Sequence, residues 1–193
     1  GVGITVLAQL MDNRIQSVDD IEKGLGVPFI GGVPYWAHGG LESTVRPIVT
    51  EEHSSGALEA YRALRTTILN ELNKRGEKLV LFSSADSREG KTLTALNIAI
   101  LIAQMGKKVL LVDMDLRRGR LHRSLAMERE PGIAETLKHD LSLKDTVMDT
   151  RFDNLYFIPT GATLDDAAEV LQAADMRDVF DEVIDDYDYV FID

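Results

Sequence analysis

Gly90-Lys91-Thr92 stands in the string SSADSREGKT (residues 83–92), between a short apolar run and an apolar helical stretch. This tripeptide suits a phosphate group. Glycine lets the backbone come close, and the amides of the loop and helix start point at the anion. The ammonium adds a point charge, and the hydroxyl can ligate Mg²⁺. The complete phosphate-loop pattern asks for another glycine where Ala85 stands, so the match is partial. Two acidic signals accompany it. Asp113 and Asp115 close the string KVLLVDMD, and Asp193 closes YVFID. An apolar strand ending in a carboxylate can hold Mg²⁺ beside a bound phosphate. The candidate binding residues are therefore Ala85, Asp86, Ser87, Arg88, Glu89, Gly90, Lys91, Thr92, Leu93 and Arg117. The candidate metal ligands are Thr92, Asp113, Asp115 and Asp193, and the candidate catalytic residues are Lys91, Asp113 and Asp115.

Such residues need a scaffold that brings strand ends together. Residues 78–83 (KLVLFS), 108–113 (KVLLVD), 155–159 and 189–193 are short apolar runs without alternation, the pattern of strands buried on both faces. Helical stretches separate them: 91–105 with Gly106 as a stop, a short one near 133–138, and an acidic one over 167–185. Buried strands alternating with helices predict an α/β fold, a doubly wound, mostly parallel sheet of the P-loop NTPase type. In such a sheet ligands bind beyond the carboxyl ends of the strands. Upstream, a helix is expected over 56–73 with Leu58, Leu64, Ile68 and Leu72 on one stripe, and residues 38–55 read as a linker. Ser17 and Asp20 have the spacing of a helix N-cap, with a short helix to about residue 25 and an extended segment over 26–34.

The chain has 193 residues, no cysteine and a net charge of -11. The missing cysteines exclude a disulfide scaffold, a thiolate zinc site and a cysteine nucleophile. The acidity argues against a general nucleic-acid binder, so no nucleic-acid partner is expected. Nearly all of the charge lies late in the chain: residues 161–193 carry -10 and residues 1–160 carry -1. A solvated helix face is the ordinary reading of that asymmetry, and an acidic docking surface is the other. Lys107, Lys108, Arg117, Arg118, Arg120 and Arg123 form a basic cluster able to serve a phosphate or to offset the acidic helix. Residues 1–11 are too short to span a bilayer and lack a basic leader. The start at Gly1 rather than Met is read as that of a domain cut from a longer protein. Residues 1–10 are then the end of a membrane helix or a packed amphipathic one.

Together these strings resemble the bacterial tyrosine kinases, the cytoplasmic P-loop domains of polysaccharide co-polymerases that determine exopolysaccharide chain length. SSADSREGKTLTALNIAI resembles the family's Walker A, VLLVDMDLRRGRLH its Walker A′ and YDYVFID the opening of its Walker B. PGIAETL and NLYFIPTG resemble its connecting segments, and VDDIEKGLGVPFIGGVPYW resembles the stretch that follows its second membrane helix. Glu59, Arg62 and Arg65 match the Glu-x-x-Arg-x-x-Arg helix that joins subunits into a ring.

The resemblance implies a juxtamembrane segment and linker over 1–54. It implies a kinase domain over 55–193 without the family's C-terminal part and tyrosine-rich tail. It also implies ATP and ADP as ligands, Mg²⁺ as cofactor, and tyrosine autophosphorylation in trans within a ring-like homo-oligomer. The expected partners are a membrane polysaccharide polymerase or export machinery and a tyrosine phosphatase, at the cytoplasmic face of the bacterial inner membrane. Asp113 is expected nearest the attacking phenol. Ser87-Arg88-Glu89 stands where the family often has Pro-Gly-Glu, and Asp86 stands where the MinD/ParA partitioning ATPases carry a signature lysine. Two other readings stay open: a nucleotide-binding regulatory ATPase without kinase chemistry, and a partitioning ATPase.

Overall fold

The computed structural model describes residues 17–34, 47–50, 55–86 and 89–193. The chain divides into two compact units, residues 1–31 and 32–193. In the first, the Ser17 and Asp20 expectation holds. The Ser17 amide donates to Asp20 Oδ2 (2.9 Å) and the Asp20 amide to Ser17 Oγ (3.2 Å), which starts a turn of π-helix over Asp20–Leu25. Gly26 ends that turn at φ 67°, a left-handed conformation that favours glycine.

The second unit is a five-stranded sheet in the order β1-β5-β2-β4-β3. β1 is Leu79–Leu81, β2 Val109–Val112, β3 Met148–Asp149, β4 Leu155–Ile158 and β5 Tyr189–Ile192. All pairings are parallel except β3 with β4. The predicted doubly wound sheet is therefore present, with one short antiparallel strand added. β3 is only two residues long, too short for a periodic signal.

Side chains along a strand point alternately to the two faces, and both faces here are covered. Val109, Leu111, Phe157 and Phe191 enter one core, with helices α1 (Ser55–Arg75) and α2 (Lys91–Ala103). Leu110, Val112, Ile158, Val190 and Ile192 enter the other, with α4 (Ile133–Leu137), α5 (Ala167–Ala173) and α6 (Met176–Asp181). A short helix α3, Leu121–Leu125, follows the Asp113–Asp115 segment. Burial on both sides explains why the central strands read as unbroken apolar runs. On α1, Tyr61, Leu64, Ile68 and Leu72 face the core and Leu58 is half-buried. No helix among the described residues is long and apolar enough to cross a membrane.

Four expectations need correction. β1 is not buried on both faces: among the described strands it lies at one end of the sheet, and Leu81 is 67% exposed. The acidic stretch is not one helix. It breaks at Ala174 and Asp175, where the Asp175 carboxylate accepts from the Arg177 amide and caps α6. Part of the expected linker is core. Ile48, in a 3₁₀ turn over Ile48–Thr50, is buried, and the Val49 amide donates to Asn97 Oδ1 on α2 (3.3 Å). The basic residues do not form one cluster. Lys107 and Lys108 precede β2 and bond Asp188, whereas the arginines follow its other end.

Candidate nucleotide site

The phosphate loop joins β1 to α2. Gly90 is the residue before α2 and sits at φ 89°. A Cβ there would meet nothing within 4 Å, so backbone conformation, not space, demands glycine. The Gly90 carbonyl accepts from the Thr94 amide (2.8 Å), closing the first turn and leaving the earlier amides of α2 free for an anion.

A cavity of about 800 Å³ opens at the carboxyl ends of the strands. Ala85, Asp86, Glu89, Gly90, Lys91, Thr92 and Leu93 line it, together with Asp115 and Asp193. Nine of the residues singled out in the sequence thus meet at one place, drawn from β1, β2 and β5. Ser87 and Arg88 lie outside the described residues. Arg117 does not line the cavity; Arg118, Gly119 and Arg120 do. Glu59 and Arg62 form an exposed ion pair on α1, away from the cavity lining, and Arg65 Nε is buried without a hydrogen-bond partner.

Lys91 Nζ lies 3.2 Å from Asp193 Oδ1. The Asp193 side chain is 2% exposed, and Oδ1 has no hydrogen-bond partner, so the contact is one of charge without alignment. The base of the cavity therefore holds a buried carboxylate oxygen with spare capacity and a lysine beside it. The Glu89 carboxylate also faces inward. Its Oε2 accepts from the Ala85 (3.0 Å) and Asp86 (3.1 Å) amides, two donors of the kind an external phosphate would use.

Asp113 departs from its expected place. It is fully buried and does not line the cavity. Its two oxygens accept from the Asp115 (3.3 Å) and Leu121 (3.0 Å) amides and thereby fold the segment between them into a tight loop. Gly119 lies against it: a Cβ there would come 2.7 Å from both Asp113 oxygens and 2.1 Å from Thr160 Cγ2. Burial, with the nearby Asp193 and Asp115 charges as lesser causes, raises the Asp113 pKa to about 7; the two amide bonds oppose the rise. Asp115 is exposed, and its Oδ1 accepts from the Arg118 amide (3.0 Å). Of the pair, Asp115 reaches the cavity and Asp113 holds the loop that carries it. The sequence places both at the strand end but does not say which carboxylate is tied to amides. Gly119 carries no signal of its close packing beyond being a glycine in a basic string.

A family profile described as an AAA domain matches residues 78–193. Among curated proteins, the chain is 28% identical over its whole length to the tyrosine-protein kinase ptk of Acinetobacter johnsonii, of which it covers 27%. It thus spans about a quarter of that relative's length. Among solved structures, the BceF tyrosine kinase domain superposes with a TM-score of 0.81 at 29% identity, over 93% of this chain and 76% of that one. The septum site-determining protein MinD of Pyrococcus horikoshii, complexed with Mg-ADP, superposes with a TM-score of 0.53 at 28% identity, over 60% of this chain and 48% of that one.

Proposed function

The chain belongs to the AAA-domain family and is built like bacterial tyrosine-kinase domains, and from that premise we propose that it binds ATP with Mg²⁺ and transfers the γ-phosphoryl group to a tyrosine hydroxyl. The observation that carries the proposal is the meeting of Lys91, Thr92, Asp115 and Asp193 around one cavity with the phosphate-loop backbone. The donor set fits magnesium. A hydroxyl and two carboxylates are hard oxygen ligands, and Asp193 Oδ1 is buried with no hydrogen-bond partner. Thr92, Asp115 and Asp193 would hold the ion, which when bound would neutralise charge on the transferring phosphates.

The remaining roles fall to side chains of the chain itself. Lys91 turns from Asp193 to the β and γ phosphates. Arg118 and Arg120, at the rim, balance the rest of the triphosphate charge. In the transfer, the phenol oxygen forms a new bond to the γ phosphorus. The bond from that phosphorus to the β–γ bridging oxygen breaks, and ADP leaves with the electron pair. The phenolic proton, with an ordinary pKa near 10, passes to a carboxylate. Asp115 suits that role better than Asp113: it lines the cavity with one oxygen on an amide, whereas Asp113 does not line it and has both oxygens so engaged. Positioning and charge compensation supply most of the rate.

We further propose that the domain acts in a ring-like homo-oligomer joined through Glu59, Arg62 and Arg65. The proposed setting is the cytoplasmic face of the bacterial inner membrane, beside a polysaccharide polymerase or export machine, with a tyrosine phosphatase reversing the modification. The name of the Acinetobacter relative and the BceF superposition support the kinase part, and MinD with Mg-ADP supports the nucleotide part.

The test is Lys91→Met, assayed with γ-labelled ATP and by calorimetry with Mg-nucleotide. Tyrosine labelling should fall more than about a hundredfold, and the heat of nucleotide binding should weaken. Undiminished labelling by the variant would refute the assigned roles. Nucleotide binding without labelling of any tyrosine would point to a regulatory ATPase instead.

A further inference from the structure

Part of the segment expected to be a linker is fastened to the helix that carries the phosphate loop. Pro47 and Ile48 are buried, and Ile48 belongs to the same core as Leu96 and Ile100 of α2 and Ala57 and Tyr61 of α1. A polar contact gives that packing a direction. The Val49 amide donates to Asn97 Oδ1 (3.3 Å), and Asn97 Nδ2 donates to the Leu93 carbonyl (2.8 Å). Asn97 is fully buried, so its amide depends on partners within the protein. The two ends of that amide are not interchangeable. Turning it over would set its oxygen against a carbonyl and its nitrogen against an N–H.

The other end of the Asn97 amide leads to the nucleotide cavity, because Leu93 lines it. α1 reaches the same turn. Tyr61 is 2% exposed, and its hydroxyl has the Thr94 and Asn97 side chains as hydrogen-bond partners. Burial raises the Tyr61 pKa, so the hydroxyl keeps its proton. The Thr94 amide in turn donates to the Gly90 carbonyl (2.8 Å), the bond that closes the first turn of α2. Val49, Tyr61 and Asn97 do not line the cavity themselves. What they do to a bound nucleotide they do through that turn.

We propose that Asn97 is a positioning residue for the nucleotide: with the strap over residues 47–49 and with Tyr61, it fixes the first turn of α2 in the arrangement that phosphate meets. The inference rests on the nucleotide reading above. Amides of a helix start bind an anion together only when they already point together. Ordering them at the moment of binding costs affinity, and a fixed turn avoids that cost. Without the strap, Asn97 Oδ1 is a buried acceptor with no donor. The amide then relaxes at the expense of its bond to Leu93, and the turn loosens.

The test uses the whole chain and two variants. Asn97→Leu keeps the size and removes both polar ends. Ile48→Ala weakens the strap and leaves α2 untouched. Val183→Ala is the control, a fully packed position in the other core. Amide hydrogen exchange is read first, without nucleotide, as the rate at Thr94 relative to Leu111 in the central strand β2. Global destabilisation speeds both amides and leaves the ratio alone. The ratio should rise about tenfold in both strap variants and change less than about twofold in the control. Calorimetry with Mg-ADP is read second. Affinity should fall about fivefold in both strap variants and less than about twofold in the control.

An unchanged exchange ratio in the strap variants overturns the proposal. A raised ratio with unaltered Mg-ADP affinity also overturns it, because the strap would then be structural only. If the wild type binds no Mg-ADP, the function proposed above fails, and the exchange ratio alone decides whether the strap fixes the turn. Should Asn97→Leu fold poorly, Tyr61→Phe removes one hydroxyl from the same network and should raise the ratio in the same direction.

Discussion

Asp113 and Asp115 stand two residues apart at the end of one strand, yet one is sealed among backbone amides and the other meets the cavity. That division predicts different mutants. Gly119→Ala pushes a methyl group into the Asp113 carboxylate and Thr160 Cγ2. It should cost about 1–3 kcal/mol of stability, as overpacking of a filled core does. Thermal or denaturant unfolding measures it, and adding Thr160→Ser should recover part of the loss by removing Cγ2. An unaltered Gly119→Ala midpoint would show that the loop is not held as described. Glu89 makes a second residue-scale case. Its carboxylate occupies the Ala85 and Asp86 amides and places negative charge where phosphate is proposed to bind. Glu89→Gln should therefore tighten Mg-nucleotide binding about five- to tenfold, on the order of 1 kcal/mol. Calorimetry reads it, and weaker binding would mean that Glu89 organises the loop rather than competing for it.

The elements carry their own tests. On α1, Glu59 and Arg62 are exposed and paired with each other. An exposed pair of this kind contributes at most a few tenths of a kcal/mol to the fold. Replacing Glu59 and Arg62 with alanine should leave the melting midpoint nearly unchanged. If the ring reading is right, the same variant sediments as a monomer where the parent assembles; unchanged assembly would remove that helix from the interface. On β1, Leu81→Lys should change stability by less than about 0.5 kcal/mol, because the side chain is mostly in solvent. How far these elements were legible follows from burial. β2, β4 and β5 are covered on both faces, so their apolar runs announce them. β1 has the same kind of run but lies at one end of the described strand order, and the apolar run does not encode that position. The break at Asp175 was signalled by a capping residue, but the helical pattern on either side of it hid the interruption. Among site residues, the meeting of Lys91 with Asp193 was readable from motif and strand end. The engagement of Asp113 and the turn of Glu89 into the loop depend on which amides lie within reach, and that is fixed only by the fold.

At the scale of the whole molecule, the positioning of the site depends on chain order. β5 is the latest of the described strands in sequence, yet it lies between β1 and β2 and pairs with both. It also brings Asp193 to Lys91. Removing residues 189–193 should therefore abolish nucleotide binding together with cooperative unfolding, because β1 loses its partner and two cores lose Val190, Phe191 and Ile192. Calorimetry and a denaturant titration check this; a truncated chain that still binds nucleotide would contradict it. Contacts so distant in sequence also make for slow folding. During synthesis, a ribosome that has made the phosphate loop has not yet made what completes it. Capture of ATP at the proposed site must wait for the wedge strand to emerge, so a stalled product would not sequester the nucleotide.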